Sequence, residues 1–336
     1  MTKEITIAGG GLAGLSLGIA LRQRGIAATL HEAGGYPRHR VCGEFISGVG
    51  PEVFEALGLN GVLDGALEQR STVWLRRDLQ VFSGQLPSAA KGISRFELDD
   101  QMRTRFQELG GRLVTNSRLT PSPMEGTVWC AGRFPAKSPW LGLKCHVREL
   151  ELRADLEMHL GGNGYVGLAR VGDGVVNVCG LFRQDRALTG KDLLFQYLEA
   201  GGLSSLRNRL DEAEIDEASA SAVAGFQLGW QPIRPGLLSL GDACGMIPPF
   251  TGNGMSMAFE SAAVAADPVA AYARGGLDWN ALLSDVSRRL RRKFAARLFY
   301  ARLMHPFLTR SAGQSFLSGI TRARLLPFNL CFHALR

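Results

Sequence analysis

The sequence has 336 residues, 46% hydrophobic and 21% charged, which excludes wholesale disorder and allows one large or two modest domains. The net charge of +7 is local: residues 276–336 hold 11 Lys/Arg against 2 Asp/Glu (+9), leaving 27 against 29 (−2) in residues 1–275. A neutral body with a basic tail argues against a protein whose main surface grips a nucleic-acid backbone.

No stretch reaches the roughly 18–20 consecutive apolar residues of a membrane span, and the chain does not open with a secretory signal pattern. Cys42, Cys130, Cys145, Cys179, Cys244 and Cys331 are scattered without a CxxC, so neither a metal site nor a disulfide framework is expected. Buried thiols in a reducing cytoplasm are the expectation.

Ile5–Ala8 reads as a buried strand, Gly9–Gly14 as a glycine turn, Leu15–Arg24 as a helix stopped by Gly25, and Ala27–His31 as a second strand ending at Glu32. Residues 34–50 are loop-like and carry the run Tyr36-Pro37-Arg38-His39-Arg40-Val41-Cys42-Gly43-Glu44. A helix is expected over Pro51–Leu57, a strand over Thr72–Phe82, a helix over Glu97–Leu109, and strands at Arg112–Val114 and Thr127–Ala131. From Gly142 the period changes to 2. Leu143–Leu152, Gly164–Val171, Val175–Phe182 and Ala222–Leu228 read as strands between Gly-rich turns, beside a helix near Lys191–Ala200. Leu237–Leu240 returns to a buried strand, and from Trp279 the pattern is helical, with breaks at Pro306 and Pro327.

Gly9, Gly11 and Gly14 form GxGxxG, with Glu32 eighteen residues after Gly14. The first glycine allows the tight turn, the second lets backbone approach a pyrophosphate, and the third lets helix and strand pack closely. The helix N-terminus offers free N–H groups to the anion, and Glu32 is placed to accept from ribose hydroxyls, which disfavours a 2′-phosphate. This loop alone does not separate FAD from NAD.

A second glycine loop runs Gly241-Asp242-Ala243-Cys244-Gly245-Met246-Ile247-Pro248-Pro249-Phe250-Thr251-Gly252-Asn253-Gly254-Met255. It resembles the second flavin-binding motif of the para-hydroxybenzoate hydroxylase superfamily. The resemblance implies that Gly241 and Asp242 lie at the ribityl chain and Gly252 and Gly254 at the flavin's pyrimidine end. Arg95-Phe96-Glu97-Leu98-Asp99 is similar to the family's Arg-x-x-Leu-Asp signature, which implies that Arg95 lies near the cofactor. Val41-Cys42-Gly43-Glu44 and the form of the second loop look most like the geranylgeranyl-reductase-like branch, which borders the flavin-dependent halogenases. There Arg40 is implied near the phosphates and ribityl chain. Two departures matter: Cys130-Ala131-Gly132-Arg133 lacks the usual Asp-Gly, which counts against ordinary direct use of NAD(P)H, and no Trp-x-Trp-x-Ile-Pro halogenase motif occurs.

The expected architecture is α/β: a Rossmann-type FAD-binding domain (1–141, returning at 235–275), an inserted, mostly antiparallel substrate sheet (142–234) and a basic helical segment (276–336). The expected cofactor is FAD, with NAD(P)H or a partner flavin reductase as electron donor. Monooxygenation of a hydrophobic or aromatic biosynthetic intermediate leads. Reduction of an isoprenoid or other alkene, and a non-catalytic flavoprotein acting as maturation or scaffold partner, stay open. Cys42, flanked by Arg38 and Arg40, is the first catalytic candidate, since cations lower a thiol pKa. Glu44 is either a proton donor or an arginine's partner. His39 and His146 are acid–base candidates against a plainer packing role. Trp140, Phe182, Phe226 and Trp230 are candidates for a hydrophobic pocket, and core packing explains them as well. The stretch Arg288-Arg289-Leu290-Arg291-Arg292-Lys293 and the apolar positions after it suit either a solvated helix face or a surface for anionic lipid or an acidic carrier protein holding a hydrophobic substrate.

Overall fold

Ile5–Ala8 (β1) lacks an exposed residue, as expected of a strand covered on both faces, and in the computed structural model, which describes residues 2–336, it sits at the centre of a parallel sheet. In chain order follow α1 (Leu12–Gln23), β2 (Ala28–His31), β3 (Phe45–Ile46), α2 (Pro51–Leu57), β4 (Leu67–Arg76), β5 (Leu79–Gly92) and α3 (Arg95–Glu108). Next come β6 (Arg112–Val114), β7 (Thr127–Trp129), β8 (Trp140–Arg148), β9 (Leu156–Gly161), β10 (Gly164–Gly172) and β11 (Val175–Arg183). After α4 (Leu193–Ala200) and α5 (Ser204–Asp211) the chain forms β12 (Glu214–Ala224), β13 (Gly229–Trp230), β14 (Leu238–Ser239) and β15 (Gly245–Met246). It ends in α6 (Gly254–Ala273), α7 (Trp279–Thr309), α8 (Ser311–Arg322) and α9 (Phe328–Ala334).

The parallel sheet has the order β14-β7-β1-β2-β6, so the last strand added, β14, returns beside β7 after the second sheet has been built. Helix α1 packs on it and α6 packs on α1, and Leu15, Leu17, Ile19, Phe259, Ala262 and Ala266 are buried in one core with its strands. The second sheet has the order β12-β8-β11-β10-β9-β4-β5-β3 and is antiparallel except for the β4–β9 pair. One face, through Leu143, Cys145, Val147, Val166 and Val178, packs on α4 and α5. The other turns toward the loop after β2 and, farther along, toward α7 and α8.

Three expectations are corrected. The second sheet does not begin at residue 142: β3, β4 and β5 come from the first 141 residues, so the sheet is built from separated segments. The stretch Thr72–Phe82 is two strands, because Arg77 (φ 49) and Asp78 (φ 63) turn the chain through two consecutive left-handed residues without a glycine to announce it. In addition, Pro306 lies inside α7 near its end, where few backbone bonds remain to be lost, and does not break it.

Candidate active site

The first glycine loop is shaped by clearance. A Cβ at Gly9, where φ is +104°, would run into the backbone of Ala131, and one at Gly14 into the Gly9 carbonyl, so both positions require glycine. Gly11 differs: its nearest neighbour is Arg95 Nη2 at 3.8 Å, so its open side faces the cleft. Gly11 is also the N-cap of α1, without a side-chain cap and with no acid in the first turn, which leaves the helix N–H groups free for an anion. The second loop repeats the arrangement. Gly252 has φ +66° and lies against the Phe45 ring, whereas nothing lies within 4 Å of a Cβ on Gly254, the first residue of α6, whose first turn also lacks an acid.

Asp242 stands between the two helix starts. Its side chain is exposed, yet protein closes round it, as at the floor of a cleft. That enclosure raises its carboxyl pKa, with Arg95 and Arg133 opposing the rise. Arg95 is held by Asp99 through two bonds of 2.7 and 2.8 Å, and Asp99 also takes Arg40 Nε at 2.9 Å. Two open glycines, two uncapped helix starts, a cleft-floor carboxylate and a fixed guanidinium are a donor set for an elongated ligand with an anionic middle and hydroxyl groups. FAD fits that description.

Glu32 does something the sequence did not disclose. Only 3% exposed, it accepts from Gly10 N–H at 2.8 Å and Gly34 N–H at 3.1 Å, with Arg38 and Arg40 each at 3.4 Å. Burial raises its pKa, but Arg40, the two N–H groups and Arg38 outweigh this and hold it below the ordinary value. Its carboxylate therefore braces the glycine loop itself, as do Tyr36 and Arg40, which both donate to the Gly10 carbonyl.

Beside the cradle, the loop residues face the second sheet. Glu44 is fully buried, adopts the left-handed region (φ 53) and accepts from Arg95 N–H (2.9 Å), Lys144 Nζ (3.2 Å) and His146 Nε2 (2.5 Å). Burial alone would raise its pKa; the His146 hydrogen bond and the Lys144 charge reverse that and lower it. Glu44 is thus an ionised, fully partnered carboxylate and not a proton donor, and its partners are a lysine and a histidine in place of the expected arginine side chain. A non-glycine residue held in this backbone region is locally strained, a feature concentrated at functional sites.

Cys42 also departs from expectation. Burial pushes its thiol pKa up, and the cation that opposes this is Arg95, not Arg38 or Arg40. Its carbonyl accepts from Asn177 Nδ2 at 3.0 Å, which ties the loop to β11. His39 stacks on Phe96 with ring centroids 4.5 Å apart and meets His146 edge-on at 5.0 Å. Burial, Lys144 and His146 lower its pKa. His39, His146 and Phe96, with Arg38, Arg148 and Asp216, line a groove of about 670 Å³ between the loop, the start of α3 and the edge of the second sheet.

His39, His146 and Asp216 place one potential ligand atom each within 4.8 Å of one another. Lys144 Nζ lies 3.2 Å from His39 Nδ1 and, as an ammonium, can only donate to it. The neutral ring then carries its proton on Nε2 and has no lone pair left for a metal. Glu44, an acceptor, likewise holds the proton of His146 on Nε2, which leaves Nδ1 of that groove-lining ring as the acceptor.

The four aromatic pocket candidates do not form one pocket: Trp140 and Phe226 share a core cluster, and Phe182 and Trp230 lie in two others. Phe182 lies on the other face of the sheet, fully buried against Tyr197. Phe226 is buried under the Arg133 guanidinium, and Trp230 lies under Arg291 at the start of the β13–β15 pair. Trp140 packs against His305, which with Tyr165 and Phe250 makes an aromatic cluster adjoining the second glycine loop. His146 was already an acid–base candidate, whereas Lys144 was legible only as a polar residue alternating with Leu143, Cys145 and Val147 in one strand. Asp99 was present in the Arg-x-x-Leu-Asp signature but without its role as the anchor of Arg95 and Arg40, and Tyr36 and Asn177 carried no signal beyond their polarity.

No family model and no curated protein matches the sequence. Solved structures match over nearly the whole chain. The flavin-dependent brominase Bmp2 is 17% identical with a TM-score of 0.74, covering 99% of this chain and 93% of its own. PqsL, a probable FAD-dependent monooxygenase from Pseudomonas aeruginosa, is 16% identical with a TM-score of 0.71, covering 94% and 99%. A geranylgeranyl bacteriochlorophyll reductase-like protein from Thermoplasma acidophilum is 14% identical with a TM-score of 0.75, covering 97% and 91%. The chain therefore has the fold of these flavin-associated proteins, and its neighbours span the hydroxylase, halogenase and reductase-like borders that the motifs imply.

Proposed function

We propose that this protein is an FAD-dependent oxidoreductase that hydroxylates a hydrophobic or aromatic substrate with O₂. One observation carries the broader reading: two uncapped, acid-free helix starts open through Gly11 and Gly254 onto a cleft floored by Asp242. Bound FAD would supply the redox chemistry. In this reading the N–H groups at Gly11–Gly14 and Gly254 orient the phosphates and the pyrimidine end, and Asp242 accepts from the ribityl hydroxyls.

Hydroxylation is favoured by His146. Glu44 holds its Nε2–H, which leaves Nδ1 positioned to take a proton from a substrate hydroxyl in the groove. Alkene reduction is favoured instead by Cys42, whose burial keeps the thiol protonated and able to act as a proton source. Electrons come from NAD(P)H or a separate flavin reductase, and the lack of aspartate in Cys130–Arg133 favours the latter.

The test is spectroscopic. The purified protein should show a flavin spectrum or acquire one with added FAD; a protein that stays colourless sinks both enzyme readings. Anaerobic reduction followed by an O₂ pulse then divides them. A transient spectrum between reduced and oxidised flavin supports hydroxylation, whereas direct reoxidation together with alkene turnover supports reduction.

A further inference from the structure

Helix α7 has two unlike faces. Leu290, Phe294, Leu298, Ala301, His305 and Leu308 are buried against the body. On the outside, Phe299 (64% exposed), Leu303 (56%) and Phe307 (37%) follow one another at spacings of four, so they form a single stripe along the helix. Phe316 of α8, 57% exposed, extends the stripe, its ring centroid 5.7 Å from that of Phe307. Contiguous apolar side chains left in water mark an interaction surface.

Arg291 lies over Trp230 and Arg336 bonds Ser47, and the other nine cations of the basic tail divide into two sets. Lys293 and Arg297 pair with the buried Glu260 at 3.1 and 2.5 Å, and Arg288 and Arg289 pair with Asp285 at 2.6 and 2.8 Å. These are structural or self-neutralised. Arg292, Arg302, Arg310, Arg322 and Arg324 are exposed and, among the described residues, have no carboxylate partner. The only acids beyond residue 275 are Asp278, which caps α7, and Asp285. By helical spacing Arg292 and Arg310 stand at the two ends of the apolar stripe and Arg302 beside it, and residues 276–336 bring no acid next to it.

We propose that this face docks on an anionic lipid surface. Aromatic and leucine side chains on one helix face seat at the boundary of headgroups and acyl chains, while arginines beside them attract anionic headgroups. No helix of the described residues is long and apolar enough to cross a membrane, so the contact is peripheral. The inference does not depend on the flavin chemistry.

The test is co-sedimentation of the full-length, FAD-treated protein with two vesicle types, phosphatidylcholine alone and phosphatidylcholine mixed with phosphatidylglycerol. Binding to the mixed vesicles only, weakening as salt rises, is expected. Phe299→Ser with Leu303→Ser should abolish binding with an unchanged Tm, because both positions are exposed. Arg292→Gln, Arg302→Gln and Arg310→Gln combined should lower partitioning roughly a hundredfold, about fivefold for each charge. No binding by folded wild type, equal binding to both vesicle types, or undiminished binding by the serine variant overturns the proposal. Self-association that the serine variant abolishes, without vesicle binding, overturns it in favour of a second copy.

Discussion

Glu44→Gln replaces a carboxylate with an amide of nearly the same shape, which removes one charge and turns one of two accepting oxygens into a donor. Glu44 and Lys144 have fully buried side chains 3.2 Å apart, and the Glu44 carboxylate also holds His146. Removing one partner of a buried pair leaves the other charge unmatched, which costs about 3–5 kcal/mol. For 336 residues unfolding cooperatively, an entropy of roughly 2.1 cal/mol/K per residue converts this to a fall in Tm of about 4–7 °C. Replacing both partners, Glu44→Gln with Lys144→Met, should recover much of the loss, since neither unmatched charge then remains. The pH dependence has a definite sign. The folded pKa of Glu44 is lowered, so its contribution is complete above the unfolded carboxyl value of about 4.3 and disappears as pH falls through the folded value. Calorimetry across pH should therefore show a shallower acid limb in Glu44→Gln. A Tm within a degree of wild type, or a double variant no better than the single, would refute the ionised-pair reading.

Other variants separate fold from ligand. Gly11→Val should retain the wild-type Tm of the cofactor-free protein but lose at least tenfold in FAD affinity by fluorescence titration, because its side chain fills only the open cradle. Asp242→Ala should weaken FAD retention on gel filtration without unfolding, and unchanged retention would mean that the second loop does not face the cofactor. His305 is 8% exposed, its Nε2 has no partner, and burial lowers its pKa to about 4. Its folded value lies below the unfolded 6.5, so stability is complete above that pH and falls by roughly 3 kcal/mol as pH drops toward 4. His305→Phe should remove this loss in denaturant titrations at the two pH values; an unchanged difference would show that His305 is not the group responsible.

Local chemistry made the cradle legible, and long-range pairing concealed the rest. The glycines at 9, 11, 14, 252 and 254 announce a backbone that must turn tightly or approach a ligand, and clearances of single atoms bear out that requirement at Gly9 and Gly14. The second sheet was harder to read because β4 pairs in parallel with β9, more than eighty residues away, and no period in either segment encodes that partner. Helix α5 has only two buried positions, Leu206 and Leu210, too few to set a helical period apart from noise. Phe182 could have been placed by parity alone: it alternates in phase with Val176 and Val178, which face α4 and α5, so it belongs with the helix-side core. Glu44 could not be read this way, since its partners Lys144 and His146 come from a strand a hundred residues on.

The loop from Tyr36 to Ile46 joins the two halves of the molecule. Its early residues hold the glycine loop, through the Tyr36 hydroxyl and the Arg40 guanidinium on the Gly10 carbonyl. Its later residues hold the second sheet, through the Cys42 carbonyl on Asn177, Glu44 on Lys144 and His146, and the pairing of Phe45 and Ile46 with β5. Arg95 closes the circuit, because its backbone N–H binds Glu44 while its guanidinium, fixed by Asp99, lies beside Gly11. The same few residues that shape the cradle therefore fix the tautomer of His146 in the groove. A ligand that shifts the backbone at Arg95 would act on Glu44 and, through it, on His146. This makes the strained backbone at Glu44 intelligible: one residue must reach a carboxylate into the second sheet while its neighbours stay bonded to the first.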